Sequence, residues 1–268
     1  MIIHVTDIED SRLDAFRWRD RQLASKSERR ETVGAGLFVA EGDLVVERAR
    51  LAGCEPVAIL CAQKISTELT QHFSNDVAIY VADDKMRGIV TGLGVPLDVT
   101  GLFQRPALRS VTQLCQASSR IVVLEEVDNP TNLGAIMRSA VALGWDALLL
   151  DSTSADPLAR RALRVSMGTA LQLPFGRCEP GSDFVSLLHE HGFSTIALTP
   201  HSSAIDLRSI DASTDKIALL LGSERNGLSD HALNASTFRA RIAMQTGIDS
   251  LNVGAAAAIA LHAFAPSH

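Results

Sequence analysis

The second half of the chain alternates between apolar, strand-like runs and segments that show the apolar period of a helix. Runs such as RIVVLEEV, DALLL, LQLPF, STIALT and KIALLLG alternate with segments such as LGAIMRSAVALG, DFVSLLHEHG and LSDHALNA. This alternation is typical of a mostly parallel sheet that is covered by helices on both faces. Gly144 and Gly192 each follow an apolar helix directly before a strand, where glycine commonly ends a helix. We therefore predict an α/β fold.

The first hundred residues predict a smaller α/β unit. The runs LFVAEG, PVAILCA, VAIYVA and LDVTGLFQ indicate strands, and DKMRGIV indicates a short helix or turn. DLVVERARLAG predicts a helix whose apolar face carries Leu44, Val45, Ala49 and Leu51.

The strand and helix pattern stops at FQRPALRS and then restarts, which indicates a domain boundary near Arg105 and Pro106. VTQLCQA predicts a short helix that leads into the second domain. We therefore predict an N-terminal domain over 1–105, a linker over 106–119 and a larger C-terminal domain over 120–268.

Composition limits the classes of protein to which the chain can belong. A hydrophobic content of 46% predicts an ordered core rather than disorder. No apolar stretch reaches the length of a membrane span, and the opening MIIHVTDIEDSR does not resemble a secretion signal, so we expect a cytoplasmic protein. Cys54, Cys61, Cys115 and Cys178 form no CxxC pair. We therefore expect reduced, mostly buried thiols and no metal site.

The formal net charge of -6 argues against a general, non-specific nucleic-acid binder. The N-terminal stretch is nevertheless locally basic. Its basic residues include Arg17, Arg19, Arg21, Arg29 and Arg30. Two interpretations stay open at this point, a solvated helix face and a surface that binds RNA.

The first of three polar segments, NPTNLGAIMRS at 129–139, opens a helix after a buried strand. We predict Asn132 as the residue that caps this helix, and Gly134 lets a second backbone or a ligand approach its first turn. Arg138 lies six residues further, towards the edge of the apolar face. On its own, the segment is better explained by a capped helix with a surface arginine than by a binding site.

The second polar segment, LLGSERNGLS at 220–229, places Gly222, Ser223 and Glu224 directly after an apolar strand, and Gly227 closes the turn. A carboxylate at this position has no packing role. The alternative is that Glu224 caps the helix that follows, because acidic side chains suit a first turn.

The third polar segment, IAMQTGIDSLNVGAAAA at 242–258, is the most specific of the three. Asp249, Ser250 and Asn252 crowd the start of one helix. One polar side chain is enough to cap a helix, so capping leaves the others unexplained. Open α/β folds bind ligands at the loops that follow the carboxyl ends of their strands and lead into helices. The three segments lie at such positions, so together they predict a binding site.

Taken in order, N-x-G-x-x-x-R, L-G-x-E-x-x-G-L and I-x-M-x-x-G-x-x-S-L-N-V resemble the three motifs of the SpoU/TrmH branch of the SPOUT RNA methyltransferases. The resemblance covers roughly residues 120 to 264 and includes SADPLARRALRVSMGTALQLPF between the first two motifs. FVAEGDLVVERARLAG is similar to the ribosomal-protein-like RNA-binding domain that many members carry. The resemblance implies a methyl transfer from S-adenosylmethionine to a ribose 2′-hydroxyl in ribosomal or transfer RNA, and the extra N-terminal domain favours ribosomal RNA. It also implies a trefoil knot and a homodimer.

The resemblance also implies roles for individual residues. The implied catalytic set is Asn132, Arg138, Glu224, Ser250 and Asn252. The implied contacts with the cofactor are Thr199, Gly222, Ile242, Met244 and Leu251. The basic N-terminal residues named above then become RNA-binding candidates.

The chemistry of the implied reaction agrees with these residue types. A sulfonium methyl is already electrophilic, so the enzyme mainly has to align it with the ribose oxygen and help that oxygen lose its proton. Arg138 suits a clamp on a phosphate and a developing alkoxide, because a guanidinium with a pKa above roughly 12 is a poor base. One departure from the family pattern is Ala243, where members usually have proline. We expect a softer loop there and retained function.

Two other classes of protein stay open as alternatives. A non-catalytic RNA-binding or ribosome-assembly protein could keep this fold, although it would have little reason to keep Arg138 and Glu224 together. A Rossmann-type enzyme would carry GxGxxG after the first strand. The chain has DNPTNLG there instead, which argues against this class.

Overall fold

The computed structural model describes residues 1–24, 35–211, 215–245, 247 and 249–266. Internal contacts divide the chain into two compact units. Unit 1 comprises Met1–Ala107 and Leu158–Gln172, and unit 2 comprises Leu108–Pro157 and Leu173–His268. The domain ranges expected from the sequence stay predictions, and the structure adds that Leu158–Gln172 packs within unit 1.

The described residues contain twelve strands, numbered in chain order. They are β1 Ile2–His4, β2 Leu37–Glu41, β3 Pro56–Cys61, β4 Ala78–Val81, β5 Val99–Gln104, β6 Arg120–Leu124, β7 Ala147–Leu150, β8 Phe175–Arg177, β9 Ser194–Leu198, β10 Ile205–Asp206, β11 Ile217–Leu221 and β12 Phe238–Arg241.

The same residues contain eleven α-helices. They are α1 Asp14–Arg17, α2 Asp20–Leu23, α3 Asp43–Leu51, α4 Ser66–His72, α5 Asp84–Thr91, α6 Val111–Ala117, α7 Pro130–Ala142, α8 Arg160–Val165, α9 Phe184–Glu190, α10 Asp230–Ala235 and α11 Val253–Ala263. None of these helices is both long enough and apolar enough to cross a membrane.

Unit 1 is built on a mixed five-stranded sheet in the order β1-β4-β3-β5-β2. β1, β4 and β3 run parallel, whereas β5 is antiparallel to both β3 and β2. The predicted strands of this unit are confirmed, and DKMRGIV forms a helix.

The predicted apolar face of α3 is partly wrong. Val45, Val46 and Ala49 are buried, whereas Leu44 and Leu51 are 42% and 67% exposed. The 3.6-residue period explains this, because a face set by Val45 and Ala49 takes in Val46 and turns Leu44 and Leu51 to the opposite side.

A buried ion pair ties α8 into unit 1. The Glu41 side chain is only 1% exposed, and its two oxygens lie 3.0 Å from Arg160 Nη1 and 3.0 Å from Arg164 Nη1. Arg160 also donates to the backbone carbonyls of Phe16, Trp18 and Thr91. Because a buried charge is stable only when it is paired and hydrogen-bonded, α8 completes the interior of this unit.

Unit 2 is built on a seven-stranded sheet in the order β10-β12-β9-β11-β6-β7-β8, in which every neighbouring pair is parallel. Residues of α6, α9 and α10 form one buried cluster with Val123 and Leu220. Val122 and Leu219 are equally buried and point to the opposite face, where α11 contacts β11 and α7. The predicted parallel sheet with helices on both faces is confirmed.

Local differences from the sequence prediction are few. The run LQLPF was expected to be a strand, but Thr169–Gln172 forms a 3-10 turn and β8 begins at Phe175. Gly144 and Gly192 end their helices with φ values of 74° and 79°. All four cysteines are free, and burial raises the pKa of Cys61 and of Cys178 to about 11, which keeps both thiols protonated.

Candidate active site

The carboxyl ends of β9, β11 and β12 open onto a cavity of about 740 Å³ within unit 2. Its walls come from 198–201 after β9, from 221–228 after β11, and from Ile242, Met244 and Asp249–Val253 between β12 and α11. Parallel strands present their carboxyl ends at one edge of a sheet, so segments far apart in sequence meet there. The second and third motifs both lie in this wall.

The side chain of Asn252 joins all three motifs. Its Oδ1 accepts hydrogen bonds from the backbone N–H groups of Gly254 (3.0 Å) and Ala255 (3.3 Å), which caps α11. Its Nδ2 donates to Asn132 Oδ1 (3.0 Å) and to Glu224 Oε1 (2.8 Å). Because both ends of the amide are used, the side chain is held in one orientation.

The prediction that Asn132 caps α7 is wrong. The cap is Asn129, whose side chain accepts from the backbone N–H of Thr131 (2.9 Å), and Pro130 occupies the first helical position. Proline lacks an N–H and suits that first position, so the capping residue must precede it. Asn132 instead lies in the first turn, is buried, and turns its amide towards Asn252.

α7 and α11 approach each other closely beside this amide pair. A methyl group placed on Gly254 would lie 3.3 Å from the Cβ of Ala135 and 3.1 Å from Asn252 Oδ1. Glycine at 254 therefore lets the start of α11 approach α7 closely enough for the two asparagines to bond.

The turn after β11 is built around two glycines. A Cβ on Gly222 would lie 2.1 Å from the carbonyl carbon of Gly227, which no real side chain tolerates. The N–H of Gly227, at φ 70°, donates to the carbonyl of Ser223 (3.0 Å). Glu224 does not cap the following helix, because Ser229 caps α10 through its hydroxyl. Its carboxylate is free to line the cavity and to hold Asn252.

The structure brings four of the five predicted catalytic residues together. Asn132, Glu224 and Asn252 are hydrogen-bonded, and Ser250 lines the cavity beside them. Arg138 does not line the cavity. It is exposed on α7, and no hydrogen bond or ion pair links its side chain to any residue that the structure describes.

All five predicted cofactor contacts line the cavity: Thr199, Gly222, Ile242, Met244 and Leu251. The volume falls within the range of about 300–1,000 Å³ that is usual for small-molecule sites. Glu224 and Asp249 add two carboxylates to the wall, which suits a ligand that carries a positive sulfonium. The residues present therefore fit S-adenosylmethionine.

Sequence reasoning missed other residues of the wall, among them His201, Arg225 and Asn226. His201 Nδ1 lies 2.8 Å from the hydroxyl of Ser203. A signal was available, because all three follow the end of a buried strand, but each also fits an ordinary surface loop.

The predicted RNA-binding arginines belong to unit 1. Arg17 pairs with Asp14 at 2.6 Å and also donates to the carbonyl of Ile8. Arg19 and Arg21 are exposed. Arg29 and Arg30 lie outside the described residues.

A parallel α/β sheet whose strand ends enclose a glycine-rich, carboxylate-bearing cavity defines an α/β enzyme with a cofactor site at the edge of its sheet. Residues 119–262 match the model of the SpoU rRNA Methylase family. The chain belongs to this family, which the three motifs predicted.

The similarity to known methyltransferases extends over almost the whole chain. An uncharacterized tRNA/rRNA methyltransferase of Mycobacterium bovis is 38% identical over 262 residues, which is 96% of this chain and 90% of that protein. The 23S rRNA (guanosine(2553)-2'-O)-methyltransferase RlmP of Bacillus subtilis is 25% identical over 90% of this chain and 92% of its own length. The crystal structure of an AdoMet-bound rRNA methyltransferase from Sinorhizobium meliloti is 25% identical, has a TM-score of 0.83, and covers 98% of this chain and 97% of its own.

Family membership confirms three predictions that came from the motifs. They are the α/β fold class, an RNA methyltransferase as the class of enzyme, and S-adenosylmethionine as its cofactor. The residue roles, the knot, the homodimer and the RNA-binding role of the N-terminal domain stay predictions.

Proposed function

We propose that the chain methylates a ribose 2′-hydroxyl in ribosomal RNA, with the methyl donor bound in the cavity of unit 2. The observation that carries this proposal is the Asn252 side chain, which bonds Asn132 and Glu224 at the rim of that cavity. Ribosomal RNA is favoured over transfer RNA because the Bacillus subtilis relative, which aligns with 90% of this chain, acts on 23S rRNA by its name.

The bound cofactor supplies an electrophilic methyl group, and the residues of the chain supply position. Glycine at 222 leaves the backbone of the turn accessible to a ligand. Asn252 fixes one oxygen of Glu224, so that carboxylate keeps a constant place in the wall. A fixed arrangement of polar groups around the reacting oxygen lowers the barrier because it does not have to reorganise during the reaction.

Arg138 acts in this proposal as a cation and not as a base. A guanidinium is a poor base, so Arg138 stabilises a phosphate or a developing alkoxide rather than removing a proton. The single chain leaves Arg138 outside its own cavity wall. A second copy of the chain is therefore part of the proposal.

The exposed face formed by α7 and α11 supports a homodimer. Ala135 and Arg138 on α7, and Ala255 and Ile259 on α11, are exposed or half-buried, and Ile259 is 44% exposed. Small and apolar side chains let two copies of a helix pair approach closely. A dimer through this face places Arg138 at the interface, where it can serve the partner.

Methyl transfer from labelled S-adenosylmethionine tests the proposal. The substrate is total RNA from a strain that lacks the gene, and Arg138→Ala is compared with wild type and with Arg208→Ala. Arg208 is also exposed, but it pairs with Asp206 and lies outside the cavity wall. We expect incorporation by wild type and Arg208→Ala and loss in Arg138→Ala with cofactor binding retained. Near wild-type turnover in Arg138→Ala would sink the assigned role.

Mapping the methylated nucleotide separates ribosomal from transfer RNA in the same experiment. A wild-type protein that binds the cofactor but methylates neither RNA nor ribosomal particles would instead support a non-catalytic, ribosome-assembly protein. The cytoplasmic location and the trefoil knot stay predictions.

The basic N-terminal residues are proposed to supply RNA affinity. Arg19 and Arg21 are exposed and suited to this role, whereas Arg17 already pairs with Asp14. Charge reversal of Arg19 and Arg21 should weaken RNA binding and lower the slope of affinity against salt by about one for each phosphate that the variant no longer neutralises. Arg50→Glu is the control, because Arg50 pairs locally with Glu47. An unchanged salt slope would instead support the interpretation of these residues as a solvated helix face.

A further inference from the structure

We propose that Arg225 grips a phosphate of the RNA strand beside the target ribose, at the rim of the cofactor cavity. The inference rests on the proposed function and names a substrate contact for the same site. Arg225 lies between β11 and α10, lines the cavity and is exposed. Neither a hydrogen bond nor an ion pair links its side chain to the part of the chain that the structure describes.

The backbone that carries Arg225 is held at both ends of its turn. Besides the bond from Gly227 to the carbonyl of Ser223, the N–H of Asn226 donates to the Ser223 hydroxyl (3.1 Å). Beyond the turn, the N–H of Ser229 donates to the carboxylate of Glu125 (2.8 Å). The guanidinium is thus free to bind a ligand while its Cα is held, an arrangement that lowers the entropy lost on binding.

The charges around the cavity favour a cation at this point. Glu224 and Asp249 carry negative charge in the wall, and Arg225 is the one arginine or lysine among its described residues. A polyanion that approaches this edge meets net repulsion unless a cation faces it. Glu224 lies next to Arg225 in sequence but bonds Asn252 instead, so it leaves the guanidinium unpaired.

The geometry of the ribose makes a phosphate the natural partner. The 2′-hydroxyl that receives the methyl group and the 3′-phosphate occupy neighbouring ribose carbons, so a hydroxyl placed at the cavity brings a phosphate to its rim. Arginine binds phosphate with two parallel N–H groups, which fixes orientation as well as affinity. Arg225 is therefore a positioning residue that orients the target ribose.

The test compares Arg225→Gln and Arg225→Lys with wild type and with Arg208→Gln, an exposed arginine of unit 2 that lies outside the cavity wall. The readouts are the KM for RNA, the slope of RNA affinity against salt, and the Kd for S-adenosylmethionine. For Arg225→Gln we expect a KM raised about tenfold, a salt slope reduced by about one, and an unchanged cofactor Kd. Arg225→Lys keeps the charge and should restore the salt slope, but not the whole KM.

Two results would overturn the inference. One is a wild-type KM and salt slope in Arg225→Gln. The other is a weakened cofactor Kd with an unchanged salt slope, which would assign Arg225 to the carboxylate of the cofactor. Failure of the proposed function looks different, because wild type and Arg208→Gln would then transfer no methyl group either.

Discussion

The parallel strands of each sheet end at a cavity, of about 790 Å³ in unit 1 and about 740 Å³ in unit 2. In unit 1 the three carboxylates that line this edge, those of Asp83, Asp84 and Asp98, are all engaged within the fold. Lys64 pairs with Asp98 at 2.6 Å, Asp83 caps α5 by accepting from the N–H of Met86 (2.8 Å), and Asp84 pairs with Arg87. The fold uses these groups itself.

At the corresponding edge of unit 2, polar groups keep capacity for a ligand. Glu224 gives one oxygen to Asn252, and Ser250 and Arg225 line the cavity without a hydrogen bond to any described residue. The two cavities have similar volumes, so size does not separate them. What separates them is whether the carboxylates at the strand ends are already bound within the fold, as in unit 1, or keep oxygens for a ligand, as in unit 2.

Buried charge in unit 1 should show the largest effect on stability. Glu41→Gln leaves the largely buried Arg160 and the partly exposed Arg164 without their carboxylate, so we expect the free energy of unfolding to fall by about 3 kcal/mol. Urea unfolding measures the change. Glu47→Gln is the matched control, because its partner Arg50 is on the surface and the pair is worth less than about 1 kcal/mol. Equal effects of the two variants would contradict a structural role for Glu41.

The glycine turn of unit 2 should show a large effect on activity. Gly222→Ala forces its Cβ against the Gly227 backbone, so the turn must shift, and a shift of 1 Å at such a site lowers the rate about 100-fold. Gly227→Ala meets no atom within 4 Å and adds only the strain of a positive φ, about 1 kcal/mol. Methyl transfer and cofactor Kd measure both. If Gly227→Ala lowered methyl transfer more than Gly222→Ala, the close approach of Gly222 to the Gly227 backbone would not be what fixes this turn.

Asp151, after β7, tests whether every polar residue at this edge of unit 2 serves a ligand. Burial alone would raise its pKa, but hydrogen bonds from Ser154 and Thr153 outweigh burial and lower that pKa. The lowered pKa stabilises the fold above the unfolded pKa of about 3.9, and this stability is lost as pH falls through the folded pKa. Asp151→Asn should therefore flatten the acid limb of a stability profile measured by urea unfolding. An unchanged acid limb would show that the Asp151 carboxylate does not stabilise the fold.

The smallest effect is expected at the edge of unit 1. Lys64→Ala breaks an exposed pair with Asp98, in which the two side chains are 67% and 37% exposed. The loss of unfolding free energy should stay below about 1 kcal/mol, and cofactor binding should not change. A Lys64→Ala variant that loses cofactor affinity would assign cofactor binding to the unit 1 cavity and contradict the difference between the two cavities.

Much of the fold was predictable because it depends on local apolar period. Most strands of both sheets and the parallel direction of the unit 2 strands follow from alternation that can be counted along the chain. The short edge strands β1 and β10 were not predicted, because three and two residues carry too little pattern. The face of α3 was harder, because Leu44 and Leu51 are as apolar as the residues that it buries. No local pattern could show that Leu158–Gln172 packs in unit 1, because its partner Glu41 lies more than a hundred residues away.

The candidate site was predictable in composition but not in arrangement. The motifs contain Asn132, Glu224 and Asn252, yet only the structure shows that one amide joins the other two. Asparagine is common at helix caps, which favours Asn132 there, but Pro130 at the first helical position moves the cap to Asn129. Arg225 carried no motif signal, since a surface arginine in a turn usually has no partner.

Amide hydrogen exchange with and without S-adenosylmethionine is the most direct test that the cofactor binds in unit 2, because it reports on both cavities in one experiment. We expect the cofactor to slow exchange around Thr199, Gly222 and Leu251 and to leave exchange at Lys64 and Asp83 unchanged. Slower exchange at Lys64 and Asp83 instead, or no change at any of these positions despite saturating cofactor, would contradict the assignment of the site to unit 2.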